Sequence, residues 1–524
     1  MKTLTSLLLS GVALFALTGN TRAQNTPTLI LQIDAENKVQ TIQNIGASGC
    51  WFSEGIGKYW PSEKKEKIAE LLFSSEVDKG GNPQGIGLSA WRFNIGGGTA
   101  EQGDSSGIVD FRKRVESFLA PDGTYDWNKQ AGYQWFLRKA KSYGVKELIA
   151  FSNTPPVQFT QNNRGFKTEK DYKANLKPDR YNDYAEFLAT VIKHFDKEGL
   201  HFSYISPVNE PQWDWSNKPG QASQEGSPWA NEDIHRVILA LDASLAKNKL
   251  QTQILTTEAG MLTYLYSGKS ASSSQIQAFF DNGSKYSLNN LKSVPKVIAG
   301  HSYFTDSGDS AIVAVRKNLA DTARKYKVDF WQSEYSMLAD GFREGTKNSR
   351  SAIDCALFLA KIIHHDITVA NASAWHLWNS YEPGSAEKDT RYYLIALNPE
   401  KDYKNGEFTV TKNLWAMGNF SRFVRPGMQR LNTQRNDGID LVKAAQDVMV
   451  SAYTGNNKLV IVAINYTNAP REIKPQLSNF KAIKSYRTYT TSAASDDNLK
   501  ASAVEKANTA VTLKPRSITT IVFE

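Results

Sequence analysis

The stretch FSYISPVNEP, residues 202–211, is the clearest guide to the fold of this chain. Its apolar and aromatic residues predict a β-strand over 202–208, and Pro211 stops regular strand pairing just after Glu210. A helical pattern follows over 231–247, where Asn231 and Glu232 are typical helix-start residues. A strand that ends in polar residues and leads into a helix is typical of one unit of a parallel sheet.

The same rhythm recurs along most of the chain. Strands are predicted at 44–51, 88–95, 147–154, 202–208, 252–257, 297–303, 329–334 and 372–378, and helices at 62–73, 127–143, 180–198, 231–247, 312–326 and 349–365. Eight strands, each followed by a crossover, favour a (β/α)8 barrel, the TIM-barrel fold of the α/β class. An open doubly wound sheet is the alternative, but no strand is followed by a glycine-rich phosphate turn.

The two ends of the chain have a different pattern, without helices. Residues 447–466 alternate apolar and polar positions around Gly455-Asn456-Asn457, which predicts a β-hairpin, and 485–491 and 511–524 continue the alternation. Residues 28–42 predict two further strands around Glu36-Asn37. We therefore expect a β-sandwich side domain built from both termini. The expected boundaries are 1–23 for a signal peptide, 24–43 for the N-terminal strands, 44–425 for the barrel and 426–524 for the C-terminal sandwich.

Composition excludes several classes of protein. The net charge of +9 is diffuse, without a basic block, so nucleic acid is not an expected partner. A basic start, an apolar run over 7–17 and a small-residue site at Ala23 predict a secretory signal cleaved after Ala23, hence a secreted or periplasmic protein without a membrane span. Cys50 and Cys355 are expected as buried thiols. The seven His and two Cys show no metal-ligand spacing, and we expect no metal, no cofactor and a monomer.

Polar residues gather where the predicted strands end, which is where barrel enzymes place their active sites. Glu210 ends the fourth strand and Glu334 ends the seventh. Alone, Asn-Glu-Pro fits a surface turn equally well, but a second glutamate at a strand end is hard to explain by solubility. Two opposed carboxylates among amides and aromatic residues predict a glycosidase, in which one carboxylic acid protonates the leaving oxygen while the other carboxylate attacks the sugar or orients water.

These motifs together resemble glycoside hydrolase family 30, a family of retaining barrel enzymes. The resemblance covers nearly the whole mature chain and rests on RFNIGGG (92–98), SNTPP (152–156), VNEP (208–211), HSY (301–303), QSE (332–334) and GNFSRFVRPG (418–427). It implies a barrel fused to a β-sandwich, with Glu210 as the acid/base and Glu334 as the nucleophile. Asn209 would bind the hydroxyl next to the anomeric carbon, and Arg92 and Tyr303 would flank Glu334. For a retaining mechanism we expect the two carboxyl groups to lie about 5–5.5 Å apart.

Other residues at the strand ends have expected roles in holding the sugar. Asn153 and His301 are candidate binding or orienting residues, with His376 as an alternative. Glu258 is a rival carboxylate, expected to bond sugar hydroxyls or to support the site from behind. Stacking on a sugar is expected for Trp213, Trp215, Trp375 and Trp378, although packing in the core is the alternative for each. Trp91 and Trp331 have the opposite strand parity to Arg92 and Glu334 and are expected to face the helices.

The expected substrate is a polysaccharide or oligosaccharide. The segment GASGCWF (46–52) resembles the endo-β-1,6-galactanase branch of the family and departs from the Gly-Phe-Gly-Gly opening of the glucosylceramidase and β-1,6-glucanase branches. The prediction is an endo-acting hydrolase of β-1,6-linked galactan. A family 30 enzyme acting on β-1,6-glucan or glucuronoxylan and an exo-acting β-glycosidase remain alternatives. A catalytically silent carbohydrate-binding protein would need one of the two glutamates replaced, and neither is.

Overall fold

The computed structural model describes residues 27–339, 349–455, 457–480 and 483–524, so the expected signal peptide lies outside the described residues. Its strands, in chain order, are β1 (Leu29–Thr41), β2 (Asn44–Ser48), β3 (Ala90–Asn94), β4 (Glu147–Phe151), β5 (Phe202–Ser206), β6 (Gln253–Ile254), β7 (Thr256–Ala259), β8 (Val297–His301), β9 (Asp329–Glu334), β10 (Ala372–Leu377), β11 (Tyr381–Pro383), β12 (Ile395–Pro399), β13 (Gly406–Val410), β14 (Gln429–Arg435), β15 (Val448–Gly455), β16 (Lys458–Asn465), β17 (Arg471–Ser478), β18 (Ser485–Thr491), β19 (Lys500–Ala501), β20 (Glu505–Lys506), β21 (Val511–Leu513) and β22 (Ser517–Phe523).

Each of the six predicted helices is present within a few residues of its expected bounds, and further helices lie before, between and after them. The helices are α1 (Ser53–Tyr59), α2 (Ser62–Phe73), α3 (Thr99–Gln102), α4 (Ala131–Ser142), α5 (Tyr181–Lys197), α6 (Asn231–Lys247), α7 (Thr263–Tyr266), α8 (Gln275–Phe280), α9 (Asp309–Tyr326), α10 (Ala352–Thr368), α11 (Lys412–Ser421) and α12 (Leu441–Ala444). Local chemistry sets several starts. Ser351 caps α10 by accepting from the backbone N–H of Asp354, and Asp233 accepts from the N–H of Ala230 ahead of α6. Within the described residues, no helix is long and apolar enough to cross a membrane.

The barrel is a ring of parallel strands in the order β6-β5-β4-β3-β2-β10-β9-β8-β7. The fifth position is one predicted strand interrupted at Leu255, because β6 pairs with β5 and β7 pairs with β8, which closes the ring. Every predicted barrel strand is present, so the (β/α)8 prediction is confirmed. The ring places the carboxyl ends of β5 and β9, with Glu210 and Glu334, at the same mouth.

The side domain is a ten-stranded sheet folded over its own apolar core, and both termini contribute to it. The hairpin predicted over 447–466 is confirmed as β15 and β16, which pair antiparallel. The N-terminal strand β1 lies between β14 and β17, deep in the C-terminal sheet. The prediction of two strands around Glu36-Asn37 was wrong, because β1 is one continuous strand. The turn-like residues lie where its pairing with β14 is irregular, between Ile33 and Lys38.

The directions predicted for Trp91 and Trp331 from strand alternation were right for the first and wrong for the second. Trp91 faces the helices, against Phe73 and Phe136, as predicted. Trp331 instead points into the barrel and packs edge-on against Tyr204. The cause is an irregularity in β9, where Gly300 pairs with Gln332 but His301 pairs with Glu334, so that Ser333 is an extra residue that resets the alternation.

Candidate active site

The two predicted carboxylates meet at the mouth of the barrel. Glu210 follows β5, Glu334 ends β9, and an oxygen of each lies within 4.8 Å of the other. Both side chains line a cleft of about 700 Å³ and are 8% and 4% exposed, respectively. Glu210 has a left-handed backbone (φ 46°), and its N–H donates to the carbonyl of Glu258 at 2.8 Å, which ties the ends of the fourth and fifth strands together.

Glu334 is held from two sides. The buried guanidinium of Arg92 donates from Nη1 to Glu334 Oε2 at 2.8 Å, and the Tyr303 hydroxyl donates to Oε1 at 3.0 Å. Arg92 is itself fixed with its guanidinium 4.3 Å from the centre of the Phe151 ring. These two hydrogen bonds fix the orientation of the Glu334 carboxyl group in the cleft. Arg92 and Tyr303 therefore lie where the sequence placed them.

His301 joins Glu210 to Glu258. Its Nδ1 lies 3.0 Å from Glu210 Oε1, and its Nε2 lies 3.1 Å from Glu258 Oε2. Burial alone would lower the pKa of His301, but the neighbouring carboxylates of Glu334, Glu210 and Glu258 outweigh it and raise the pKa to about 10. The imidazole is therefore cationic at neutral pH and donates from both nitrogens.

Glu258 lies beneath the cleft and does not face the sugar. Its side chain is fully buried and accepts from the hydroxyls of Ser206, at 2.6 Å, and Ser333. Burial alone would raise the pKa of Glu258, but Arg92, His301 and Ser206 together outweigh it and lower the pKa. Of the two roles expected for Glu258, the structure fits support of the site from behind and contradicts bonding to sugar hydroxyls, because its oxygens are enclosed by protein donors. It acts as the counter-ion that holds Arg92 and His301.

The charges of this cluster balance only when Glu210 carries a proton. Arg92 and His301 contribute two positive charges, and Glu258 and Glu334 contribute two negative charges. Burial raises the pKa of Glu210, and repulsion from Glu334 adds to the increase, although His301 works against it. A raised pKa on Glu210, beside a Glu334 carboxyl group held by two donors, suits the division of roles between an acid and a nucleophile.

Two buried amides point into the cleft with unused hydrogen-bonding capacity. Asn209 Nδ2 donates to Asn153 Oδ1 at 3.0 Å, and each residue is 3% exposed. The other atoms, Asn209 Oδ1 and Asn153 Nδ2, have no protein partner in the described part of the chain. A buried acceptor and a buried donor left open beside two carboxylates are suited to sugar hydroxyls.

The aromatic residues divide between the cleft and the core. Trp213, Trp215 and Trp378 line the cleft, and Trp51 packs edge-on against Trp378 with ring centres 5.1 Å apart. The expectation that Trp375 stacks on a sugar was wrong. It is fully buried on the helix side of β10, where its Nε1 donates to Asp366 of α10 at 2.9 Å.

Several residues of the cleft were not identified from sequence. Lys113 comes from the short 3-10 turn Phe111–Lys113, and Glu382 from β11, one strand of a small three-stranded sheet after the eighth barrel strand. No periodic pattern marks these segments, which is why strand-end reasoning missed them. Of the two candidate orienting histidines, only His301 contacts the carboxylates. Burial lowers the pKa of His376 to about 3, and its Nε2 lies 2.6 Å from Asn44 Oδ1.

Glu210, His301 and Glu334 also have the composition of a metal site, with ligand atoms within 4.8 Å of one another. His301 fits that role poorly, because both of its ring nitrogens are already engaged by carboxylates, Nδ1 by Glu210 and Nε2 by Glu258. The cysteines, the other candidate soft ligands, are both buried free thiols, as expected.

Comparison with known proteins identifies the group to which this architecture is similar. Residues 28–392 match the profile of O-glycosyl hydrolase family 30. An endo-β-1,6-galactanase of Hypocrea rufa is 23% identical over 480 residues, covering 88% of this chain and 86% of that protein. The glucuronoxylanase XynC of Bacillus subtilis (strain 168) is 22% identical over 417 residues, covering 78% of this chain and 81% of that protein. The crystal structure of a conserved exported protein from Bacteroides fragilis superposes with a TM-score of 0.88 at 34% identity, covering 94% of this chain and all (100%) of that one.

Proposed function

The chain belongs to O-glycosyl hydrolase family 30, and we propose that it is a secreted, retaining, endo-acting hydrolase of β-1,6-linked galactan. The observation that carries the proposal is the pair of glutamates at the barrel mouth. Glu334 accepts hydrogen bonds from Arg92 and Tyr303, whereas Glu210 is buried in an environment that raises its pKa.

In the first step, the Glu334 carboxylate attacks the anomeric carbon while Glu210 gives its proton to the glycosidic oxygen. The bond to the leaving sugar breaks and a glycosyl ester forms on Glu334. In the second step, water attacks the anomeric carbon, Glu210 takes a proton from it, and Glu334 leaves as a carboxylate. The product keeps the configuration of the substrate.

The charge cluster suits this change of role. Repulsion from ionised Glu334 is one of the causes that raise the pKa of Glu210. Ester formation removes the charge of Glu334, so the pKa of Glu210 falls when the intermediate forms. Cationic His301, 3.0 Å from Glu210, then stabilises the new carboxylate. Glu210 is thus an acid in the first step and a base in the second.

The separation of the carboxylates supports retention. One oxygen of Glu210 lies within 4.8 Å of one oxygen of Glu334, which favours the short separation of about 5–5.5 Å between the carboxyl groups of retaining enzymes over the about 6.5–9.5 Å of inverting ones. The open amide atoms of Asn153 and Asn209 support binding of a sugar at the same centre.

The galactan assignment is supported by the segment 46–52 and by similarity to an endo-β-1,6-galactanase. A glucuronoxylanase is nearly as similar, so identity alone does not separate the two substrates. Secretion is supported by the signal-like residues 1–23 and is consistent with a polymeric substrate too large to enter a cell.

The test is a reducing-end assay on debranched arabinogalactan, β-1,6-glucan and glucuronoxylan, with product anomers followed by NMR. We expect cleavage of the galactan with retention and a mixture of short oligomers. Release from only the glucan or the xylan would overturn the substrate, and release of monosaccharide alone would overturn endo action. Glu334→Gln serves as the inactive control in every arm.

A further inference from the structure

The cleft that holds the two glutamates is also lined by Trp51, Trp213, Trp215 and Trp378. Two charged side chains line it as well, those of Lys113 and Glu382, and the catalytic steps assign no role to either of them.

The first is the ammonium of Lys113. Its Nζ lies 4.5 Å from the centre of the Trp51 ring, a cation–π contact that holds the group in place without using its N–H donors. The neighbouring Arg112 is paired with Asp110, but Lys113 forms no ion pair with any described residue. An ammonium group is a donor only, so Lys113 offers up to three hydrogen bonds to whatever enters the cleft.

The second is the carboxylate of Glu382, a half-buried residue of β11. Its one hydrogen bond to a described residue is a long one of 3.4 Å from Asn379 Nδ2 to Oε1. Burial raises the pKa of Glu382 to about 6, although Lys113 and Asn379 draw it downward, so the group is ionised at neutral pH. An ionised carboxylate is an acceptor only, and most of its capacity is unused.

We propose that Lys113 and Glu382 form a donor–acceptor pair that binds one hydroxyl group of the sugar in the cleft and so selects among sugars that differ in the orientation of that hydroxyl. A hydroxyl accepts from the ammonium and donates to the carboxylate at the same time, which neither charged group does alone. The two charges line the same cleft, and Lys113 is near enough to Glu382 to lower the pKa of that carboxyl, yet no direct ion pair joins these two described residues. The inference rests on the proposed function of this cleft.

Lys113 and Glu382 discriminate between sugars because a poorly fitting sugar desolvates both charges without replacing their hydrogen bonds to water. When the hydroxyl points elsewhere, the sugar still displaces water from Lys113 and Glu382 but returns no hydrogen bond. Leaving a desolvated charge without a partner is the strongest source of selectivity available to a binding site. A sugar with the fitting hydroxyl satisfies both charges at once.

The test measures kcat/KM for Lys113→Met, Glu382→Gln and the double variant on whichever of debranched arabinogalactan, β-1,6-glucan and glucuronoxylan the wild type cleaves fastest. Each single variant is expected to lose about 10- to 100-fold. The double variant is expected to lose no more than the worse single variant, because both partners hold one hydroxyl. Single variants within twofold of wild type, or losses that multiply in the double variant, would overturn the pair.

Matched controls keep the result specific. Lys58→Met changes a lysine that lines the neighbouring cavity instead of the cleft, and Glu387→Gln changes an exposed glutamate shortly after β11. Both are expected to stay within twofold of wild type. Melting curves check folding, and Lys113→Gln replaces Lys113→Met if the latter does not fold.

A second readout tests selection itself. The ratio of kcat/KM on the fastest polymer to that on the next fastest is expected to fall at least tenfold in both single variants, with the detection limit as a bound where one rate vanishes. An unchanged ratio would overturn selection. If the wild type prefers glucan or xylan, the galactan proposal fails, but loss of rate in both variants on that polymer still supports the pair.

Discussion

The inside of the barrel contains two layers, taken largely from the same strands, with opposite chemistry. The lower layer is apolar and the upper layer, one inward-facing position further along, is charged. The lower layer is Ala90, Ile149, Leu255, Ala299, Trp331 and Ala374, and the upper layer includes Arg92, Glu258, His301 and Glu334. On β3 the change is from Ala90 to Arg92, and on β8 from Ala299 to His301.

The difference shows how a barrel supports buried charge. The side chains of the lower layer, including the large ring of Trp331, fill the barrel beneath the charged layer with apolar groups. The charges above therefore interact in a medium of low polarity. The upper layer is stable there because each charge faces an opposite one. Substitutions in the upper layer should therefore affect chemistry first, and substitutions in the lower layer should affect stability first.

The largest effect is expected where the upper layer touches substrate. Glu334→Gln removes the proposed attacking carboxylate, and we expect kcat/KM to fall by about 10⁴-fold or more. Glu210→Gln removes the proposed proton donor, with an expected loss of about 10²–10⁴-fold. Both variants should melt within a few degrees of wild type. The control is Glu63→Gln on the surface of α2, and substantial activity in Glu334→Gln would remove that residue from the mechanism.

Loss of the shared cation should affect both stability and activity. Arg92→Met leaves Glu258 and Glu334 buried without their main partner, and breaking a buried pair in this way costs about 3–5 kcal/mol. The free energy of unfolding, measured with urea, should fall by that amount, together with a large loss of kcat. Arg324→Met, on the exposed face of α9, is the matched control. A stable Arg92→Met would mean that the charges are not mutually compensated.

A substitution in the lower layer should reduce stability with a much smaller loss of activity. Trp331→Ala leaves a cavity in the apolar layer and is expected to reduce the free energy of unfolding by about 3–5 kcal/mol. The kcat of the folded enzyme should fall far less than in Arg92→Met. Trp135→Ala, a partly buried tryptophan on the outer face of α4, should cost less stability. If Trp331→Ala abolished kcat in folded protein, the separation of the two layers would be wrong.

Glu225, a buried carboxyl group that pairs with no cation among the described residues, contrasts with Glu258. Glu225 is fully buried, accepts from Thr99 Oγ1 at 2.6 Å, and burial raises its pKa to about 7. The folded protein therefore binds a proton on Glu225 more tightly than the unfolded chain does, where the pKa is near 4.5. The resulting contribution of Glu225 to the free energy of unfolding is complete below pH 4.5 and is lost as the pH rises through 7.

Urea unfolding at pH 4.5 and pH 8 measures this effect. The part of the wild-type loss that is due to Glu225 should be about 3 kcal/mol. Glu225→Gln, which still accepts from Thr99 but does not ionise, should show a correspondingly smaller loss over the same range. Equal pH dependence in the two proteins would contradict a raised pKa at this position.

Features that follow from regular strand alternation and from the ends of strands could be predicted from the sequence. The predictions were wrong where that alternation is interrupted. The positions of Arg92, Glu210 and Glu334 follow from their places at strand ends. The direction of Trp331 did not, because one extra residue at Ser333 reverses the alternation and no local pattern marks a bulge. Lys113 and Glu382 come from segments whose path depends on tertiary packing, so their meeting in the cleft could not be predicted.

The central claim, that Glu334 attacks the sugar while Glu210 supplies the proton, is tested most directly by trapping the glycosyl-enzyme. The protein is incubated with a 2-deoxy-2-fluoro glycosyl fluoride of the sugar that it cleaves, digested and analysed by mass spectrometry. We expect one adduct, on Glu334, that is absent from Glu334→Gln. An adduct on Glu210 or Glu258, or no adduct together with products of inverted configuration, would contradict the account.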